Sequence, residues 1–200
     1  MADGRWRRIE DVLIGEFVQG RRRKNRVIAY DRLLLGEQKD PNLYCVNGAF
    51  ETTSDHLILS RETDAAPETW AVLRKEHYGC GHESTVIYDA DLNPIRGVIF
   101  KGIKPERVGQ VTVGQDIGYG TSGWRTVKTI AKVKEPDPTQ IIYSLVCAGD
   151  GTMQISGMND SGYVVSAWVD DDKWYGRPVG MAKRFKRWLG KMVSGISYGP

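Results

Sequence analysis

The sequence predicts an all-β domain followed by a C-terminal amphipathic helix and tail. Three observations support that prediction. Short apolar, strand-compatible runs recur along most of the chain. Glycine is abundant, at 23 residues, which suits many short strands joined by tight turns. A set of landmarks also repeats at nearly equal spacing in the two halves of the chain. With 40% hydrophobic residues, a 200-residue chain suffices for one good core, or one core plus a tail. The β-domain is expected at 1–169, and the linker, helix and tail at 170–200.

In chain order, residues 9–19 read as a turn and then a strand. Residues 26–35 are apolar and β-compatible, and 43–46 form a short strand. Asn47-Gly48 is the strongest two-residue hairpin signal. Residues 57–59 are another apolar run, and 61–70 are a polar loop holding Pro67. Residues 70–73 suit a strand, although 68–76 is one of two places where a helix could form. Residues 74–84 are polar and irregular. Two strands, 86–88 and 97–100, flank the turn Asp91-Leu-Asn-Pro94. Further strands are expected at 111–113, 124–133, 140–147, 152–156 and 163–169, with a break at Glu135-Pro-Asp-Pro138.

The repeat is specific. Val12-Leu-Ile-Gly15-Glu resembles Val111-Thr-Val-Gly114-Gln. Val27 follows Val12 by 15 residues, and Val127 follows Val111 by 16. Tyr44 follows Val27 by 17, and Tyr143 follows Val127 by 16. A glycine-bearing hairpin comes next each time, Asn47-Gly48 and then Gly149-Asp150-Gly151. Two related β-subunits, each with one apolar face, would bury those faces against one another.

With these residues in view, the chain resembles the Hint family, the fold of hedgehog autoprocessing domains and inteins. Ile9-Glu-Asp-Val12-Leu-Ile-Gly15-Glu-Phe-Val18 is similar to the phrase that opens each half of that fold. The segment from Ala2 to Val12 resembles the stretch after the family's first strand. Thr53-Ser-Asp-His56 matches its T-x-x-H motif, and Ile142-Tyr-Ser-Leu145 with Asp150-Gly151 is similar to its last core motif. The resemblance covers roughly residues 2–168, and it implies a pseudo-twofold β-domain.

It also implies a chemistry. In the family a Cys or Ser at the domain's first position attacks the preceding peptide carbonyl, converting an amide to a thioester or ester. The Thr and His of T-x-x-H polarise that peptide, and the His protonates the departing nitrogen. Thr53, His56 and Asp150 would be the relics of such a centre. Two features depart from the pattern. Only Met1 precedes Ala2, so no nucleophile and no cleavable peptide are expected; residues trimmed upstream would weaken that expectation. The closing His-Asn of inteins should fall near Val164 to Ser166 and is absent. No catalysis and no cofactor are therefore expected. His56 reads either as a relic proton donor or as an ordinary hydrogen-bonded histidine, the second being favoured without a nucleophile.

The remaining clusters keep two readings each. His77, Cys80 and His82 could supply three metal ligands, but Cys-x-His spacing is unusual for zinc, so a solvated loop is preferred and no metal is assigned. Arg21-Arg-Arg-Lys-Asn-Arg26 could meet the phosphates of a nucleic acid, but a solvated hairpin tip is the default, so a nucleic-acid partner is possible and not favoured. Asp170-Asp-Asp172 reads as a polar turn. Three cysteines, Cys45, Cys80 and Cys147, without a signal peptide suit a reducing compartment. No run of 18 apolar residues exists to span a membrane.

The second helix candidate begins at 181. Met181, Phe185, Trp188, Leu189 and Met192 fall on one helical face, while Lys183, Arg184, Lys186, Arg187 and Lys191 lie largely off it. Pro178 suits its start, and Gly190 weakens its last turn. Such a helix docks on a partner, lies on an anionic surface, or packs back on its own domain. A protein partner is preferred, with Phe185, Trp188, Leu189 and Met192 as the apolar contacts and Lys183, Arg184, Lys186 and Arg187 around them. Free-standing Hint-like proteins occur among bacteriophage and prophage genes. That analogy makes the leading expectation a structural protein of the virion, in the tail or at a head–tail junction, assembled in the host cytoplasm. It would contact other virion proteins in a symmetric array and take no small-molecule substrate. The alternative is part of a self-processing element whose nucleophile comes from upstream or from another chain.

Overall fold

Period-two burial sets the strands. At the first hairpin, Val18, Asn25 and Val27 are buried while Phe17, Lys24 and Arg26 are exposed. The computed structural model describes residues 5–79, 87–88, 94–95, 103–156 and 161–167. Among these the regular structure is strand and short 3-10 turns, with no α-helix, so the fold is all-β.

The strands are β1 (Phe17–Gln19), β2 (Lys24–Leu34), β3 (Leu43–Val46), β4 (Phe50–Thr53), β5 (Ile58–Arg61), β6 (Thr69–Val72), β7 (Ile87–Tyr88) and β8 (Pro94–Ile95). They continue as β9 (Gly109–Gln110), β10 (Asp116–Tyr119), β11 (Gly123–Thr126), β12 (Ile130–Lys132), β13 (Ile141–Ala148), β14 (Thr152–Ser156) and β15 (Ser161–Ser166). One sheet runs β1-β2-β7-β8, with β13 also on β2. A second runs β11-β10-β15-β5-β6-β9, with β14 on β15. The third is β12-β3-β4.

The two repeated turns make the same set of hydrogen bonds. The N–H of Gly15 donates to the Val27 carbonyl at 2.8 Å, and the Val27 N–H donates to Glu16 at 2.9 Å. The N–H of Gly114 donates to Val127 at 2.8 Å, and Val127 donates to Gln115 at 2.7 Å. Glu16 and Gln115 also accept from Leu13 N–H and Thr112 N–H through their side chains, at 2.8 and 3.1 Å. Both glycines need the left-handed region, with φ of 95° and 98°.

The long pairings then cross between the halves. β13 pairs with β2, so Leu145 faces Tyr30 and Tyr143 faces Arg32. β12 pairs with β3, so Val46 faces Ile130 and Tyr44 faces Lys132. Val46 and Leu145 lie 99 residues apart and Tyr30 and Ile130 lie 100 apart, so the two pairings join positions at nearly the spacing of the sequence repeat. Val12, Val18, Val27 and Val46 share one core cluster with Val111, Ile117, Val127 and Leu145.

Several expected elements differ. Residues 68–76 are not a helix: β6 occupies Thr69–Val72, and a 3-10 turn follows at Lys75–His77. The ambiguity came from burial on both faces. Ala71 and Leu73 enter the main core, while Trp70 and Val72 enter a second cluster with Leu57, Leu59, Tyr78, Ile103, Val108 and Val164. Residues 111–113 are not a strand, because the chain is already turning towards Gly114; β9 precedes them and β10 follows. The expected strand at 124–133 splits into β11 and β12. Between them the backbone of 127–129 bonds instead to Gly114, Gln115 and Asn47. β7 pairs with β8 at Pro94–Ile95, nearer than the expected 97–100, which lies outside the described residues.

Candidate functional site

The T-x-x-H segment joins β4 to β5. Thr53 and Ser54 are buried, and His56 is half-buried at the turn before β5. The end of β15 lies beside it: the Ser166 N–H donates to the Leu57 carbonyl at 2.9 Å, and Val165 pairs with Ile58. Ala167 closes the junction, donating to the Gly151 carbonyl at 2.9 Å and accepting from Cys147 N–H at 3.1 Å. The T-x-x-H motif and the position expected for a closing His-Asn are thus adjacent. The residues actually there, Val164, Val165 and Ser166, include neither imidazole nor carboxamide. The nearby Cys147 thiol is no nucleophile at neutral pH. Burial first, and the Asp150 charge second, push its pKa up to about 12.

Asp150 is not turned to this segment by any bond among the described residues. Its carboxylate accepts from Asn25 Nδ2, from Arg22 N–H at 3.0 Å, and from Thr152 Oγ1 at 2.6 Å. Asn25 is wholly buried; it also donates to the Thr152 carbonyl at 2.7 Å and accepts from Asp150 N–H at 3.0 Å. The second hairpin tip is thereby locked to the first. Asn47 makes the reciprocal lock, donating to Thr126 O at 3.1 Å and accepting from Lys128 and Thr129 N–H. Arg21, which reads as one cation of a surface run, is buried. Its guanidinium stacks on Trp124 at 4.7 Å and donates to the Gly123 carbonyl at 2.7 Å.

A serine, a histidine and an aspartate do meet, in a combination the sequence did not mark. Ser54 Oγ lies 3.0 Å from His77 Nδ1, and Asp40 Oδ2 lies 3.1 Å from the same nitrogen. A nucleophilic relay needs the carboxylate on one ring nitrogen and the hydroxyl on the other. Sharing Nδ1 rules that geometry out, and Ser54 is 1% exposed. The cluster serves Asp40 instead: Tyr44 OH donates to it at 3.1 Å, and Asn42 Nδ2 donates to the other oxygen.

Burial by itself would raise the Asp40 pKa. Hydrogen bonds from Asn42, Ser54 and Tyr44, with the His77 charge, outweigh it and hold the carboxyl below its ordinary 3.8. A depressed folded-state pKa contributes stability above 3.8 that disappears as pH falls through the folded value. Asp40→Asn is therefore expected to lower stability at pH 7 by about 1–3 kcal/mol. The gap to the unsubstituted protein should shrink below about pH 4 in urea titrations; a constant gap would show that the charge is irrelevant.

Of the other candidates, His77 is spent on Asp40 and Ser54, while Cys80 and His82 lie outside the described residues. No group of three metal-ligating side chains occurs among the described residues. Asp170 to Asp172 and the whole partner-binding set, Lys183, Arg184, Phe185, Lys186, Arg187, Trp188, Leu189 and Met192, also lie outside them. No helix among the described residues is long and apolar enough to cross a membrane. Sequence reading missed Asp40, Ser54, Asn25 and the inward turn of Arg21. Only Asn25 left a signal, since strict alternation with Val27 puts it on the inner face. Comparison with protein-family models, curated proteins and solved structures gives no match.

Proposed function

We propose that this chain is a Hint-type β-domain acting as a non-catalytic structural or interaction module. The observation that supports the fold reading is the pair of cross-pairings between the two halves at nearly the spacing of the repeat, β13 on β2 and β12 on β3. Non-catalysis is supported by the residues beside His56: Val164, Val165 and Ser166 offer no closing His-Asn, and Cys147 is held as a neutral thiol. The family resemblance further suggests a bacteriophage virion component, in the tail or at a head–tail junction, with the basic segment after Pro178 engaging a neighbouring virion protein. The test is mass spectrometry of purified particles. A fixed, symmetric copy number is expected, and deletion of 181–200 should abolish incorporation with the core still folded. Absence from particles would refute the assignment.

The adjacency of Thr53–His56 to the end of β15 favours one second reading, a self-processing element whose nucleophile comes from upstream or in trans. Intact mass after expression with the native upstream region separates the two. Any cleavage product, or an ester or thioester trapped by hydroxylamine, would establish processing.

A further inference from the structure

Charge is unevenly distributed along this chain. Residues 5–26 hold eight cations against three carboxylates, whereas the rest of the chain carries 20 cations and 22 carboxylates. Two of the three acids in that stretch are committed: Glu16 to Arg7 at 2.9 Å and to Leu13 N–H, and Glu10 to Arg8 at 2.7 Å. Arg23, Lys24 and Arg26 are exposed and form no ion pair among the described residues.

The β1–β2 ladder gives this charge a defined face. Phe17 sits opposite Arg26 and Gln19 opposite Lys24, while Val18 and Asn25 point inward. Directly opposed side chains share a face about 5 Å apart. Phe17 is therefore an aromatic, 50% exposed, set among cations on the outer face of the edge hairpin β1–β2. The Arg7–Glu16 pair ties the segment carrying Trp6, which is 48% exposed, to the residue before Phe17. The hairpin is also held from within. Arg21 is buried against Trp124, and Arg22 and Asn25 bond to Asp150, so the cations project from an anchored turn.

We propose that the outer face of the β1–β2 hairpin binds single-stranded nucleic acid. A nucleobase would stack on Phe17, and the flanking phosphates would meet Arg23, Lys24 and Arg26. Unpaired bases present free faces to an exposed ring, and neighbouring cations track the backbone without reading sequence. Bases stacked inside a duplex cannot reach a ring lying in a strand. The proposal is independent of the virion assignment.

The test uses the full chain and a fluorescein-labelled oligo-dT of about 20 nucleotides, read by anisotropy between about 50 and about 200 mM salt. Phe17→Ala should weaken binding about tenfold with an unchanged salt slope. The triple variant Arg23→Glu/Lys24→Glu/Arg26→Glu should weaken it more than tenfold and lower the log–log salt slope by about 2. Lys132→Glu/Lys134→Glu, exposed cations on and after β12, should leave it unchanged. All the substituted side chains are exposed, and an unchanged melting midpoint confirms folding. No binding at low salt, or full binding by both hairpin variants, overturns the proposal. So does a loss with the charge variant alone, or preference for phosphatidylserine vesicles or a polyglutamate peptide over the oligonucleotide.

Discussion

Replacing Leu145 by alanine should lower the unfolding free energy by about 2–5 kcal/mol, a large part of the 5–15 kcal/mol of a typical domain. Leu145 is 2% exposed and belongs to a cluster drawing on both halves of the repeat. It sits on β13 opposite Tyr30, at the centre of the pairing that joins the halves. The cavity left by truncation would therefore open between subunits rather than within one. Urea unfolding should show a lower midpoint with the slope unchanged, because the same surface is exposed on unfolding. Leu34→Ala supplies the control: that side chain is 40% exposed, and its loss should stay within about 0.5 kcal/mol. Equal losses at the two sites would mean that β13 does not hold the halves together.

Asn25→Ala is expected to cost on the order of 3 kcal/mol through a different mechanism. Its side chain has no exposure and serves the Thr152 carbonyl, the Asp150 carboxylate and the Asp150 N–H at once. Alanine would leave these groups buried with fewer partners. The isosteric Asn25→Asp separates hydrogen bonding from packing. It would set a second carboxylate against Asp150, raising the pKa of the pair. A raised folded-state pKa means stability is present at low pH and lost as pH rises through that value. The Asp variant should thus be least stable at neutral pH and recover on acidification, while the Ala variant should show no such recovery. The close packing here also explains Gly149. A Cβ there would overlap Asn25 Oδ1, and its φ of 146° already favours glycine.

The all-β class, the doubled turn and most strand positions were legible because they are local. Gly15 and Gly114, with Val27 and Val127, mark the turn chemistry, and alternation around Val18 and Val27 marks which side faces the core. The choice left open at 68–76, a strand at 70–73 or a helix, shows where that reading loses its grip, and the chain takes the strand. A run buried on both faces, as Trp70 to Leu73 is, carries no period to distinguish strand from helix. The missed strand β10 lies in the segment after Gly114, where the repeat itself pointed to a counterpart of β1.

The candidate site was less legible. Thr53 and His56 were marked by a motif, but their neighbours at 165–167 come from more than a hundred residues away. Asp40, Ser54 and His77 carry no common spacing, and only the fold converts them into one carboxylate-centred bracket. The cation run from Arg21 to Arg26 looked uniform in sequence, yet packing turned Arg21 and Asn25 inward and left Arg23, Lys24 and Arg26 outside beside Phe17. The class of fold, the repeat and the turns are readable in the order of residues, since each follows from backbone preferences within a few positions. Which half's strand pairs with which, what Asp150 and Asn25 hold together, and which cations face solvent emerge only once the chain has packed. Those outcomes depend on burial and on partners far apart in the chain, and such contacts leave no periodic trace in it.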